Sequence, residues 1–117
     1  MKRLMLLCLF LVFYCSSPTE VGEIVVESSV IEKALLVENN LFYDIYYFIA
    51  EQGCLALLNW VPLFDESNLI KTFRKKSIPF KDITCGPDFK SNDIIVFHWW
   101  TKNMKDISDV KTITITL

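Results

Sequence analysis

Two segments near the C-terminus carry the pattern that most restricts how this chain can fold. In residues 93–100 both alternating sets of side chains are largely apolar, whereas residues 110–117 alternate mainly between apolar side chains and threonine. Successive side chains of a strand point to opposite faces of its sheet. We therefore predict a central strand over the first segment and a half-buried strand over the second. The polar residues 101–109 between them favour a turn, so we expect antiparallel pairing.

Apolar residues recur at roughly one-turn multiples in the first half of the chain, which predicts a helix. They are Ile31, Leu35, Phe42, Ile45 and Ile49. Ser29 and Glu32 form a capping-box pattern at the start of this segment, and Gly53 is a natural C-cap at its end. The helix is either one long piece or two pieces that break at Asn39 and Asn40, because asparagine is unfavourable in the middle of a helix.

Three further elements complete the predicted domain. Residues 24–26 are β-branched and suit a strand before the helix, and residues 54–60 are expected to form a core strand after it. Asp65 is a good N-cap for a second, short helix that ends at Lys76. The expected fold class is α+β, with about two helices packed on a small, mainly antiparallel sheet.

The first 15 residues have the composition of a secretory signal. Lys2 and Arg3 give a basic start, and residues 4–14 form an unbroken apolar run. A helix over this run reaches only about 16 Å, whereas the hydrocarbon core of a bilayer is about 30 Å thick. We predict a signal peptide over residues 1–15, a tether over residues 16–20 and a single small domain over residues 21–117.

Cys15 ends the apolar run and is followed by small polar residues, a pattern that resembles a bacterial lipoprotein signal. The resemblance implies that the Cys15 thiol is lipidated and that Cys15 becomes the new N-terminus. Phe13 and Tyr14 are larger than the residues that usually precede such a cysteine. Ordinary signal cleavage that releases a soluble product therefore stays open as an alternative, as does an uncleaved membrane anchor.

Cys54 and Cys85 are the cysteines that remain once the N-terminal segment is removed. An even pair in a small exported domain predicts a disulfide. Its loop of about 30 residues gives a stabilisation of about 3–4 kcal/mol on the chain-entropy model. The alternative is two buried free thiols, since cysteine also packs in cores as a small apolar residue.

Charge is distributed unevenly along the chain. Residues 16–66 hold nine acids and one base, whereas residues 67–117 hold nine bases and five acids. The second half contains a possible patch for an anionic partner, such as lipid head groups or an acidic protein surface. Its residues are Lys71, Arg74, Lys75, Lys76 and Lys81. The alternative is a solvated basic face folded against the acidic half. A net charge of −2 argues against electrostatic binding of nucleic acid by the chain as a whole.

The usual catalytic motifs are absent from the sequence. It contains no GxGxxG, GxxxxGKS/T, HExxH or GxSxG. His98, the only histidine, lies between Phe97 and Trp99, where a packed or surface role is more common than a catalytic one. A thiol–imidazole pair with Cys54 or Cys85 is conceivable, but a disulfide explains both cysteines more simply. With no CxxC and one histidine, we expect no metal site and no cofactor.

Three classes of function fit these observations. The first is a small exported envelope protein, attached to the membrane through its N-terminus, that binds a protein partner or the membrane surface without catalysing a reaction. The second is a secreted soluble effector or inhibitor held together by the disulfide. The third is a small exported enzyme, for which the sequence offers no catalytic set.

Overall fold

Seven β-strands form most of the regular structure in the computed structural model, which describes residues 23–85 and 89–117. The predicted signal peptide, Cys15 and the tether of residues 16–20 lie outside the described residues. The strands in chain order are β1 (Ile24–Ser29), β2 (Ala34–Asn39), β3 (Ile45–Glu51), β4 (Leu69–Ile70), β5 (Lys75–Pro79), β6 (Ile94–Trp100) and β7 (Lys111–Thr116).

The strands form two antiparallel sheets, one of three strands in the order β1-β2-β5 and one of four in the order β4-β3-β6-β7. In constant-type immunoglobulin sandwiches, strands A, B, E and D form one sheet and C, F and G form the other. If β1 to β7 are lettered A to G, the present order differs only in the place of the fourth strand. Strand D belongs to the sheet of A, B and E in those domains, whereas β4 pairs with β3 in the other sheet. This likeness is one of strand order and by itself implies no function.

The hydrophobic core takes side chains from both sheets. Leu35 and Val37 of β2 belong to the same buried cluster as Ile45 and Ile49 of β3 and Ile95 and Phe97 of β6. Within β2, β3 and β6 these positions are separated by even numbers of residues, so each strand turns one alternating face toward the core. The two sheets therefore pack as a sandwich, with the cluster between them.

The two predicted C-terminal strands are confirmed. β6 lies between β3 and β7, and its register with β7 is antiparallel, with Ile95 opposite Ile115. Ile113 and Ile115 pack against the core, while the threonines that alternate with them are exposed. The strand predicted over residues 24–26 is also confirmed, as part of β1.

The predicted α+β fold is wrong, because the described chain is 43% strand and 14% helical. The long helix predicted up to Gly53 is replaced by β2 and β3. The second predicted helix is replaced by a 3-10 turn (Glu66–Asn68), β4 and the start of β5. The strand predicted over residues 54–60 is also wrong, since this segment begins in α1 (Gln52–Leu55) and continues as coil. No described helix is long and apolar enough to cross a membrane.

Strand direction gives the sandwich two distinct ends. β2 runs into β3 through residues 40–44, β4 into β5 through residues 71–74, and β6 into β7 through residues 101–110. The registers place these three connections at one end, which we call the loop end. The opposite end holds α1 and residues 80–85, and we call it the disulfide end.

Candidate binding surface

Residues 56–64, which we call the strap, lie across the outer face of β3 and β6 in the four-stranded sheet. Trp60 stacks on Phe48 of β3 and on His98 of β6, with ring centroids 4.8 and 4.9 Å apart, and lies tilted against Trp100 at 5.8 Å. Phe48, His98 and Trp100 alternate with the core-facing residues of their strands. The rings therefore form a second, smaller apolar layer that fixes the strap to the sheet.

Hydrogen bonds hold the C-terminal part of the strap. The Trp100 indole Nε1 donates to the carbonyl oxygen of Leu63 at 3.1 Å, and the Asn68 side-chain amide donates to the same oxygen at 3.0 Å. Phe64 packs edge-on against Tyr46, with ring centroids 5.1 Å apart. The strap backbone is thus anchored by groups of β3, β6 and the 3-10 turn.

The strap turns four of its other large apolar side chains to solvent. Their exposed fraction ranges from 50% at Phe64 to 88% at Leu57, with Val61 and Leu63 between these values. Scattered single apolar residues on a surface are ordinary, whereas several within one short segment mark an interaction site. The strap therefore presents an apolar surface on an anchored backbone.

The predicted disulfide is present between Cys54 and Cys85, with Cα atoms 6.6 Å apart. Cys54 lies in α1, where its backbone N–H donates to Glu51 Oε1 at 2.9 Å. A side chain at Gly53 would lie 3.2 Å from this oxygen, so glycine leaves room for the cap. The predicted C-cap role of Gly53 is wrong, because Gly53 is inside α1. The bond ties α1, which directly precedes the strap, to the connection between β5 and β6.

The five basic residues predicted as a patch follow the line of β5. Lys71 and Arg74 lie in the connection at the loop end, Lys75 and Lys76 lie in β5, and Lys81 lies in a 3-10 turn (Phe80–Asp82) beyond it. Lys75 Nζ is 3.1 Å from Glu38 Oε2. Lys76 Nζ lies 5.3 Å from the centre of the Tyr47 ring and donates to Ser67 O. Two of the five cations, Lys75 and Lys76, thus already contact groups of this domain.

His98 lies beneath the strap rather than in an open site. Its Nδ1 is 3.0 Å from Thr112 Oγ1, and burial lowers its pKa, an effect that a backbone hydrogen bond at Lys111 partly opposes. The disulfide occupies both thiols, so neither Cys54 nor Cys85 forms the thiol–imidazole pair considered from the sequence. The described residues hold no cluster of three or more His, Cys, Asp and Glu placed to bind a metal.

A cleft of about 540 Å³ opens between β3 and β5, where β4 is too short to extend along β3. Tyr47, Lys76 and Asp82 are among its lining residues. Burial, and to a lesser extent the charge of Asp82, raises the pKa of Tyr47. The phenol is therefore protonated at neutral pH and acts as a hydrogen-bond donor, not as a base.

The exposed residues of the strap were not identified from the sequence, where they fell within and just after a predicted core strand. Asn59 and Pro62 interrupt the apolar run and were the available signal, since proline lacks the N–H that a central strand donates.

No protein-family model, curated protein or solved structure matches the chain.

Proposed function

We propose that this chain is a small exported protein, attached to the cell envelope through lipid on Cys15, that acts by binding a protein partner and not by catalysis. The partner would dock on the strap. The exposed apolar side chains of the strap carry the proposal, because they form a surface that water solvates poorly and a partner would bury.

The way the strap is held supports a binding role over a merely irregular loop. Trp60 fills the layer beneath it, and Trp100 and Asn68 bond to its backbone at Leu63. The conformational entropy lost on binding is smaller when the segment is already ordered. Leu57 and Val61 can therefore meet a partner at low entropic cost.

The export part of the proposal is supported by the disulfide and the N-terminal segment. Disulfides persist in oxidising compartments and are rare in the cytosol. The bond between Cys54 and Cys85 is compatible with such a location, and the basic start followed by the apolar run supplies a route to it.

Site-specific photo-crosslinking in the producing cells tests the partner. A photoreactive amino acid at position 57 should give one discrete protein adduct, and Leu57→Ser with Val61→Ser should prevent that adduct when the probe is placed at position 63. Ile31 is the matched control, because it is 96% exposed but lies in the turn between β1 and β2 at the disulfide end. A probe at position 31 should give no such adduct, and Ile31→Ser should leave the adduct intact.

Two results would overturn the proposal. One is the absence of a discrete adduct from positions 57 and 63 in cells in which the protein is exported. The other is the same adduct from position 31, which would show that crosslinking reports proximity and not docking on the strap.

A further inference from the structure

Each of the three connections at the loop end exposes a large apolar side chain. Phe42 is 79% exposed in the first, Phe73 is 58% exposed in the second, and Ile107 is also largely exposed in the third. Tyr43 adds a half-exposed phenol and, with Met104, lines a shallow cleft between the first and third connections. The loop end is therefore an apolar tip built from three separate segments.

The aromatic part of this tip is held in place by buried polar contacts. Phe42 and Phe73 meet edge to face with ring centroids 5.2 Å apart. Beneath them, the buried Asn39 side chain donates to the carbonyl oxygens of Tyr43 and Ile70, both at 3.0 Å. Phe73 has a φ of 59°, a left-handed conformation that bulky residues rarely adopt. The fold thus maintains an unfavourable backbone conformation at the position that exposes this ring.

Exposed cations flank the apolar tip in two of its three connections. They are Lys71, Arg74, Lys102 and Lys105, and none forms an ion pair with a described residue. The connections also hold three carboxylates, Asp44, Asp106 and Asp109, each of which accepts a backbone N–H group, so the net charge of the three connections is +1. An apolar tip flanked by exposed cations has the chemistry of a surface that binds anionic lipid head groups.

The chain enters the domain at this end. β1 begins at Ile24, which pairs with Asn39 at the loop end. Ile24 lies nine positions after Cys15, and an extended chain spans at most about 3.6 Å per residue, or roughly 32 Å. A lipid on Cys15 would therefore keep the loop end within about this distance of the bilayer.

We propose that the loop end docks on an anionic phospholipid bilayer. Phe42 and Phe73 enter the boundary between head groups and acyl chains, and the four cations contact the phosphates. This inference rests on the membrane attachment of the proposed function only to place the loop end within reach of the lipid. It leaves the strap, on the side of the sandwich, available to a protein partner.

Tryptophan fluorescence of the full chain with vesicles tests the docking. Two single variants, Phe42→Trp and Ile31→Trp, are compared by subtracting the wild-type signal, which removes the contribution of the native tryptophans. The vesicles contain phosphatidylcholine alone or equal parts of phosphatidylcholine and phosphatidylglycerol, with brominated acyl chains as quenchers. With the anionic vesicles, emission from position 42 should shift to shorter wavelength and be quenched. Emission from position 31, at the opposite end, should do neither.

Charge reversal tests the electrostatic part. Lys71→Glu with Arg74→Glu, introduced into the Phe42→Trp chain, should reduce the quenching at position 42, and added salt should reduce it as well. Equal quenching at positions 31 and 42, or none at position 42 with the anionic vesicles, would overturn the docking proposal.

Flotation of the protein recovered from its producing cells separates docking from anchoring. A chain that floats with neutral vesicles is held by its lipid anchor, whether or not the loop end docks. A chain that floats only with anionic vesicles, with quenching at position 42, refutes the anchor but supports docking. A chain that floats with neither refutes both.

Discussion

Asn39 is a polar residue with no exposed surface in an otherwise apolar interior. Its Nδ2 donates to the carbonyl oxygens of Tyr43 and Ile70, and its Oδ1 accepts the Leu41 N–H at 2.9 Å. The side chain thus bonds to backbone groups both of the connection between β2 and β3 and of β4, two segments that no strand pairing joins to each other. From the sequence, Asn39 was expected within a helix that either continued or broke at Asn39 and Asn40, whereas it ends β2 and bonds to backbone groups at the loop end.

Replacing Asn39 by alanine should lower the free energy of unfolding by roughly 2–4 kcal/mol, because a buried N–H and two carbonyl groups lose their partners. Urea unfolding followed by fluorescence measures the change. Asn103→Ala is the control, since Asn103 is exposed in the connection between β6 and β7, and it should change stability by less than about 0.5 kcal/mol. Equal effects of the two substitutions would contradict the role given to Asn39.

His98 should make stability depend on pH. Burial lowers its pKa below the ordinary value of 6.5, so the unfolded chain binds the proton more readily than the folded one. The contribution of His98 to stability is complete above pH 6.5 and is lost as the pH falls through and below that value. His98→Gln should therefore show a smaller loss of stability than wild type between pH 7 and 5, as measured by urea unfolding at each pH. Parallel pH profiles would rule out this role.

At the scale of elements, the spacing of Ile45 and Ile49 shows why strands were mistaken for a helix. Residues four positions apart share a face in a helix, but they also share a face in a strand, because four is an even number. Tyr47, between them, also packs toward the core, which only the period of two explains. The aromatic and β-branched composition of β3 was the local signal for a strand.

The C-terminal strands were predictable because the threonines of β7 alternate with apolar residues, a pattern that fits one period only. Asp65 was correctly predicted as an N-cap, and its side chain accepts from the Glu66 N–H. It caps only a 3-10 turn, because the residues that follow pair as β4 and β5. Capping is a local property, whereas the length of the element depends on tertiary pairing, which the sequence of one segment does not contain.

The disulfide is the covalent tie between elements, and its removal should lower the melting temperature. It closes a loop with a sequence separation of 31 residues, worth about 3–4 kcal/mol on the chain-entropy model. For a domain of this size, that corresponds to a decrease of more than about 10 °C. Cys54→Ala with Cys85→Ala should melt at the same temperature as the reduced wild type, and a reductant should not lower it further. A melting temperature equal to that of the oxidised wild type would contradict this prediction.

For the whole molecule, the two ends of the sandwich differ in chemistry. The disulfide end is closed by the Cys54–Cys85 bond, whereas the loop end carries exposed aromatic rings and cations. The sequence identified the cations as a candidate surface for an anionic partner. It did not place Phe42 beside Phe73, because these residues are 31 positions apart and meet only through the pairing of β3 with β4.

The intact mass of the protein recovered from its producing cells tests most directly whether it is an exported, lipid-anchored sandwich closed by a disulfide. We expect a chain that begins at Cys15, carries a lipid mass, and is lighter by two hydrogens owing to the Cys54–Cys85 bond. An unlipidated chain that begins at Ser16 or beyond would refute the anchor while retaining export. A full-length chain that begins at Met1, with all four cysteines free, would contradict export, lipidation and the disulfide together.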